Sequence, residues 1–124
     1  MKTLTLSIKK KWFDLIKAGI KKEEYREQSE YWIKRLLLCS EKYLDSLWDI
    51  ASVYPNSTEI LNRDLKNLFR IKHFDILIFT LGYPKAGDNE RRLVFKNPKI
   101  RIGEGRPEWG AAPGKNYFVI TWEE

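Results

Sequence analysis

The spacing of apolar and polar residues changes several times along the chain, and each change predicts a new element. Alternation over residues 4–8 predicts a first strand. A helix ending at Gly19 is predicted next, from four apolar residues at helical spacing: Trp12, Phe13, Leu15 and Ile16. Near-helical spacing returns further on and predicts a helical segment over about residues 29–70, with a break near residues 53–57.

Strands and loops dominate the rest of the pattern. Residues 74–80 contain a continuous apolar run, typical of a central strand buried on both faces. Residues 91–95 and 99–102 alternate, which predicts a hairpin or meander, and residues 117–122 predict the last strand. Together these elements indicate an α+β fold with a small mixed β-barrel and flanking helices.

Length and composition favour a single domain. The chain has 124 residues, enough for one hydrophobic core but too few for two, so we expect one domain over residues 1–124. Cys39 is the only cysteine and follows a run of leucines, which predicts a buried thiol rather than a disulfide. We find no secretory signal and no apolar run of about 20 residues, and therefore expect a cytoplasmic protein without a membrane association.

The charge of the chain indicates a polyanionic partner. Twenty-three basic and 17 acidic residues give a formal net charge of +6. Residues 1–35 hold ten Lys and Arg against five acids, and residues 85–106 hold seven against three. If these two segments adjoin in space, they form one basic patch suited to nucleic acid. The alternative is that these lysines merely solvate the surface.

Charge is concentrated in the segment Gly19-Ile20-Lys21-Lys22-Glu23-Glu24-Tyr25-Arg26, directly after the first helix. If this segment is a strand, alternation places Lys21, Glu23 and Tyr25 on one face. Lys22, Glu24 and Arg26 then lie on the other face, where Glu24 and Arg26 could support each other. The alternative is a surface ion pair that contributes about 0–1 kcal/mol.

The spacing Gly-x-Lys-x-x-Glu-x-Arg, formed by Gly19, Lys21, Glu24 and Arg26, resembles the signature of the ASCH domain, a family of the PUA-like superfamily. This resemblance implies a PUA-like architecture and the binding of RNA or a nucleoside in a cleft beside the motif. It also implies that Lys21 is the leading ligand contact.

A second candidate site is the loop over residues 103–115, which holds four glycines and two prolines. Trp109 could stack on a base there, or could instead only plug the end of the barrel. With the motif, the loop completes the predicted set of ligand-binding residues: Lys9, Lys21, Arg26, Arg106, Trp109, Gly110 and Lys115.

Enzymatic activity is an open alternative, with Lys21, Glu24 and Tyr25 as the candidate catalytic residues. Some ASCH relatives hydrolyse the amide of an acetylated cytidine with the motif lysine, a hydroxyl residue three positions on and a distant glutamate. Here Lys21 matches, but Glu24 occupies the hydroxyl position. Another branch cleaves RNA, which Lys21 and Tyr25 could assist by proton transfer.

Two further classes can be assessed from the sequence. The helices of residues 30–70 could form a protein-interaction module, although amphipathic helices usually bury their apolar face in their own domain. With one histidine, His73, and one cysteine, the sequence predicts no metal site, and it has no nucleotide-cofactor fingerprint.

Overall fold

A computed structural model of the protein describes residues 1–39 and 69–124. The elements in chain order are β1 (Thr3–Ile8), α1 (Lys10–Lys17), β2 (Glu24–Arg26), α2 (Glu30–Leu36), β3 (Leu37–Cys39), β4 (Phe69–Ile71), β5 (Ile76–Leu81), β6 (Arg92–Glu104) and β7 (Asn116–Glu123). Two short 3₁₀ helices, Asn89–Arg91 and Pro107–Trp109, precede β6 and β7.

Five strands form one mixed sheet in the order β1-β5-β6-β7-β2. β1 runs parallel to β5, with Thr3 opposite Ile76, whereas β5 runs antiparallel to β6. The predicted mixed sheet with flanking helices is therefore confirmed. The predicted barrel is met only in part, because within the described residues β1 and β2 end the strand order and do not pair with each other.

Close contacts divide the described residues into two units. The first unit contains Met1–Glu24, His73–Lys99 and Ile120–Glu124. The second contains the described part of Tyr25–Lys72 together with Ile100–Val119. The prediction of a single domain over residues 1–124 stays a prediction.

The core of the first unit lies between β1, α1 and β5. In β1 every second residue is buried, as the sequence pattern predicts for a strand with one face on the core. α1 buries Phe13 and Ile16. The ring of Phe79 makes edge contacts with the rings of Phe95 and Trp122, at centroid distances of 6.0 and 4.9 Å.

In the second unit, α2 is shorter than the predicted helical segment. The helix begins after Ser29, whose hydroxyl accepts a hydrogen bond from the Trp32 amide, and ends at Leu36. The chain then continues as β3, which pairs antiparallel with β4. The prediction of a helix over residues 37–39 and 69–70 is therefore wrong, because a short apolar run such as Leu36-Leu37-Leu38 suits a strand as well as a helix.

Several predictions of the helical segment cannot be compared with the structure. The helical positions between residues 40 and 68, and the break near residues 53–57, lie outside the described residues. The same holds for the surroundings of the Cys39 side chain.

β6 is one strand of 13 residues, so the prediction of two strands over residues 91–95 and 99–102, joined as a hairpin or meander, is wrong. Asn97 takes a φ of 49° within the strand, and its amide donates to the Asp75 carbonyl at 2.9 Å. The left-handed residue is thus a local irregularity that the strand passes through without reversing direction.

The loop between β5 and β6 is held by the Arg92 side chain. Its guanidinium donates to the backbone carbonyls of Pro84, Lys85 and Asp88 at 2.8–3.1 Å. Three charge-assisted contacts from a single side chain fix the path of the loop. Tyr83, at the beginning of this loop, is 96% exposed.

Candidate functional site

The end of α1 carries Lys21 into the interior of the first unit. Gly19 has a φ of 75°, the left-handed conformation that a glycine adopts just past a helix. The amides of Ile20 and Lys21 both donate to the carbonyl of Leu15, at 3.0 and 3.1 Å. These bonds turn the chain back against the helix, and Lys21 is only 1% exposed.

Lys21 forms a buried ion pair with Glu24. Its Nζ lies 2.9 Å from Glu24 Oε1, and the two side chains are 0% and 6% exposed. The Nζ also lies 4.5 Å from the centroid of the Trp12 ring. The ammonium is therefore enclosed by a carboxylate and an indole face, which both attract a cation.

This geometry corrects two predictions. Lys21 and Glu24 do not lie on opposite faces of a strand, because β2 begins only at Glu24 and residues 21–23 are not part of it. The pair is also not a surface ion pair, since both side chains are buried.

A buried ion pair is poor evidence of a stability function. Removing two charges from water costs several kcal/mol per ion, and apolar replacements of buried pairs are often neutral or stabilising. A buried pair in the motif segment therefore suggests that the charges have another use.

Tyr25, the next residue of β2, belongs to the second unit and anchors the loop over residues 103–115. Its hydroxyl accepts a hydrogen bond from the Arg106 amide at 2.9 Å. The hydroxyl of Tyr117 accepts one from the Ala112 amide at 3.0 Å, and the two tyrosine rings are in contact, with centroids 5.8 Å apart. Both tyrosines thus hold the loop through its backbone. A catalytic role of Tyr25 stays a prediction.

Three of the predicted loop residues surround this anchor. Trp109 is partly buried against the cluster of Tyr25, Ala111, Tyr117 and Val119. The Arg106 guanidinium lies 4.8 Å from the centroid of the Trp109 ring. Gly110 has a φ of 102°, which ends the 3₁₀ helix. The packing of Trp109 fits the structural alternative, while its partial exposure leaves stacking on a base as a prediction.

Lys115 is engaged by an acid in the same unit. Its Nζ lies 2.6 Å from Glu27 Oε1 and 5.1 Å from the centroid of the Tyr117 ring. The hydrogen bond to Glu27 raises the pKa of Lys115 above its usual value. A ligand phosphate at Lys115 would therefore compete with the Glu27 carboxylate.

The sequence comparison decides the family. A model of the ASCH domain matches residues 6–86, which is more than half of the chain. The chain belongs to the ASCH domain family. No curated protein and no solved structure was found to match it. ASCH domains have the PUA-like fold and are generally thought to bind RNA.

The ASCH match contains the motif but not the whole set of predicted residues. Lys9, Lys21, Glu24, Tyr25 and Arg26 lie within residues 6–86, whereas the predicted loop residues follow them. Lys9, Lys21 and Glu24 belong to the first unit, and the other predicted residues belong to the second. That these residues line one basic cleft stays a prediction. Lys9 is exposed and precedes α1.

Sequence reasoning used Trp12 only as an apolar position of the first helix and did not recognise it as a site residue of this ASCH domain. Its indole contacts Lys21 and also lies 4.7 Å from Lys11 Nζ. Trp12 lies nine positions before Lys21, and only the reversal of the chain at Gly19 brings the two together. No sequence spacing predicts that contact.

Two further features near Arg26 were also missed. Gln28 is 8% exposed, and its Nε2 has no hydrogen-bond partner in the part of the chain that the structure describes. Arg26 lies over the ring of Trp32, a residue that sequence reasoning treated only as a helical apolar position. Among residues 1–39 and 69–124, no three His, Cys, Asp or Glu side chains are placed to hold a metal ion. No helix in these ranges is long and apolar enough to cross a membrane.

Proposed function

We propose that this ASCH domain binds RNA or a nucleoside, with Lys21 as the central ligand contact. One observation carries the proposal: the Lys21 ammonium is buried between the Glu24 carboxylate and the Trp12 ring. Lys21 and Glu24 are the lysine and glutamate of the spacing that resembles the ASCH signature, and both lie within residues 6–86, which the family model matches.

The chemistry of the lysine and tryptophan side chains suits a nucleotide. An ammonium is a point charge with three donors, which can meet a phosphate or the acceptor atoms of a base. An indole face can stack on a base, which contributes about 1–3 kcal/mol. The net charge of +6 attracts a polyanion over longer distances.

Access to Lys21 requires a side chain to move. The Lys21 side chain is fully buried, while Trp12, which lies against it, is partly exposed. We therefore infer that Trp12 turns aside when the ligand binds, or that a base takes its place over the ammonium. Lys9, Arg26, Arg106, Trp109, Gly110 and Lys115 are proposed as additional contacts.

Binding to single-stranded RNA and to free nucleosides tests the proposal. Lys21→Met retains the apolar length of the side chain and removes the charge. The matched control is Lys22→Met, since Lys22 is adjacent and exposed. We expect Lys21→Met to lose binding at every salt concentration and Lys22→Met to lose only a small electrostatic part. A folded Lys21→Met variant that binds like the parent would contradict the assignment of Lys21.

Hydrolysis of a modified nucleoside or of RNA is the second candidate function. The observation that favours it is the contact between an ammonium and a carboxylate, a pair that can exchange a proton with a substrate. Incubation with acylated nucleosides and total RNA, followed by mass spectrometry, separates the two candidates. Product formed by the parent and lost in Lys21→Met would establish hydrolysis, whereas retention without chemical change would establish binding alone.

A further inference from the structure

The second unit contains a cluster of two arginines and two aromatic rings at the junction of β2 and α2. The guanidinium carbons of Arg26 and Arg35 lie 5.2 and 5.5 Å from the centroid of the same Trp32 ring. Tyr31 packs edge-on against Trp32, with ring centroids 4.8 Å apart. We name Arg26, Tyr31, Trp32 and Arg35 the arginine–aromatic cluster.

Local structure fixes this arrangement. Ser29 caps α2 through the Trp32 amide, which sets the beginning of the helix. Tyr31 and Arg35 are then one helical turn apart, and Arg35 Nη1 donates to Tyr31 Oη at 2.6 Å. Arg26 reaches the same indole from the end of β2.

The neighbouring acids of the same segment are engaged by lysines. Glu27 contacts Lys115 at 2.6 Å, and Glu30 contacts Lys34 at 3.2 Å. Each of these two acids is thus paired with a lysine, and the same segment carries the two arginines of the cluster.

We propose that the arginine–aromatic cluster is a subsite for single-stranded RNA, which contacts the phosphate backbone through Arg35 and Arg26 and stacks a base on Tyr31. Guanidinium groups recognise phosphate through paired N–H donors, and both guanidiniums lie close to the Trp32 ring. Tyr31 is 59% exposed, so a base can reach part of its ring, although the Arg35 guanidinium carbon lies 5.8 Å from the ring centroid. Duplex RNA has its base faces stacked inside the helix, and therefore a single strand is the ligand that matches an exposed ring.

This inference rests on the proposed function in that the ligand is RNA. It adds Tyr31, Trp32 and Arg35, which lie outside the motif, to the motif residue Arg26. The probe is a fluorescein-labelled single-stranded RNA of about 12 nucleotides, within the site sizes of single-strand binding domains. Its affinity is measured by fluorescence anisotropy over a series of salt concentrations, with the same sequence as a duplex for comparison.

Tyr31→Ala is expected to weaken single-strand binding about 5- to 100-fold, whereas Tyr31→Phe retains the ring and most of the affinity. Arg35→Gln is expected to lower the slope of log K against log salt by about 0.7, the contribution of one phosphate contact. Arg35→Lys retains the charge but loses the planar guanidinium group. It is therefore expected to keep the salt slope of the parent while binding RNA more weakly than the parent. Lys10→Gln, on α1 of the first unit with a 76% exposed lysine side chain, is the matched control for lost charge.

The outcomes separate this subsite from the proposed function of Lys21. If Tyr31→Ala and Arg35→Gln bind like Lys10→Gln while Lys21→Met loses binding, the subsite is wrong and the proposed function stands. If the cluster variants lose binding while Lys21→Met retains it, the subsite stands and the role of Lys21 is wrong. A parent that binds neither single-stranded RNA nor nucleosides overturns both. Circular dichroism of each variant shows whether α2 is intact. If Tyr31→Ala or Arg35→Gln does not fold, Tyr31→Leu, which removes the ring but retains apolar bulk, and Arg35→Lys preserve the test.

Discussion

Lys21 Nζ and Glu24 Oε1 lie 2.9 Å apart with both side chains buried, although the two residues are only three positions apart. We predict that Lys21→Met and Glu24→Leu, made singly, each lower the free energy of unfolding by about 3–5 kcal/mol, because each removes one member of a buried ion pair and leaves the other charge buried. The double variant should lose less than the sum of the two, since it leaves neither charge behind. Urea unfolding of the four proteins measures this coupling.

The surface ion pair of Lys10 and Asp14 serves as the control for the buried pair of Lys21 and Glu24. Their side chains are 76% and 54% exposed, so Lys10→Met should cost at most about 1 kcal/mol. If Lys21→Met costs no more than Lys10→Met, the buried pair does not carry the energetics that its geometry implies.

The hydrogen bonds of the Asp75 carboxylate lead us to predict that the protein loses stability in acid. Its carboxylate accepts hydrogen bonds from the Lys2 amide and from His73, at 2.9 and 3.0 Å, and these lower its pKa below the usual value of 3.8. A lowered pKa in the folded state means that the stabilisation is present above the unfolded pKa and is lost as the pH falls through the folded pKa. Asp75→Asn should therefore show a smaller drop in Tm below about pH 4 than the parent. An equal drop in both proteins would assign the acid sensitivity to other carboxylates.

The two tyrosine hydroxyls that anchor the loop over residues 103–115 give a local prediction. Tyr25→Phe and Tyr117→Phe should each cost about 1 kcal/mol, because the backbone amide of Arg106 or Ala112 loses its acceptor. Hydrogen exchange should become faster at that one amide in each variant. Tyr83→Phe is the control, since Tyr83 is 96% exposed and should change neither quantity. Unchanged exchange at Arg106 and Ala112 would show that the hydroxyls do not anchor the loop.

Gly105 is predicted to be intolerant of alanine. A Cβ at this position would lie 2.5 Å from Tyr25 Cε1 and 2.7 Å from Ala111 Cβ, so packed atoms would have to shift. Gly105→Ala should lower stability by about 1–3 kcal/mol. At Gly103 the near atom is the end of the flexible Arg101 side chain, so Gly103→Ala should be mild. Thermal unfolding compares the two, and equal losses would count against the clash.

Elements with one clear periodicity could be predicted from the sequence. The alternation of β1 and the helical spacing up to Gly19 each fit a single element, and the structure confirms both. The separate alternation of residues 91–95 and 99–102 predicted two strands, yet β6 continues through the left-handed Asn97 between them. Residues Arg92–Lys96 of β6 pair with β5. This pairing is a tertiary interaction, and the local sequence pattern does not predict it.

The candidate site was predictable in its residues but not in its geometry. Lysine is usually exposed. Lys21 is buried because the reversal of the chain brings its ammonium against the Trp12 ring and the Glu24 carboxylate. The contact of Arg35 with Tyr31 follows from their spacing on a helix, whereas the contact of Arg26 with Trp32 joins two different elements.

Arg92 holds the loop after β5 through the carbonyl oxygens of Pro84, Lys85 and Asp88 and not through their side chains. Every amino acid presents the same carbonyl. The side chains at these three positions can therefore be exchanged for others compatible with the backbone angles, while the loop keeps its course. Surface chemistry beside Tyr83 is thus adjustable independently of the fold, as long as position 92 remains an arginine.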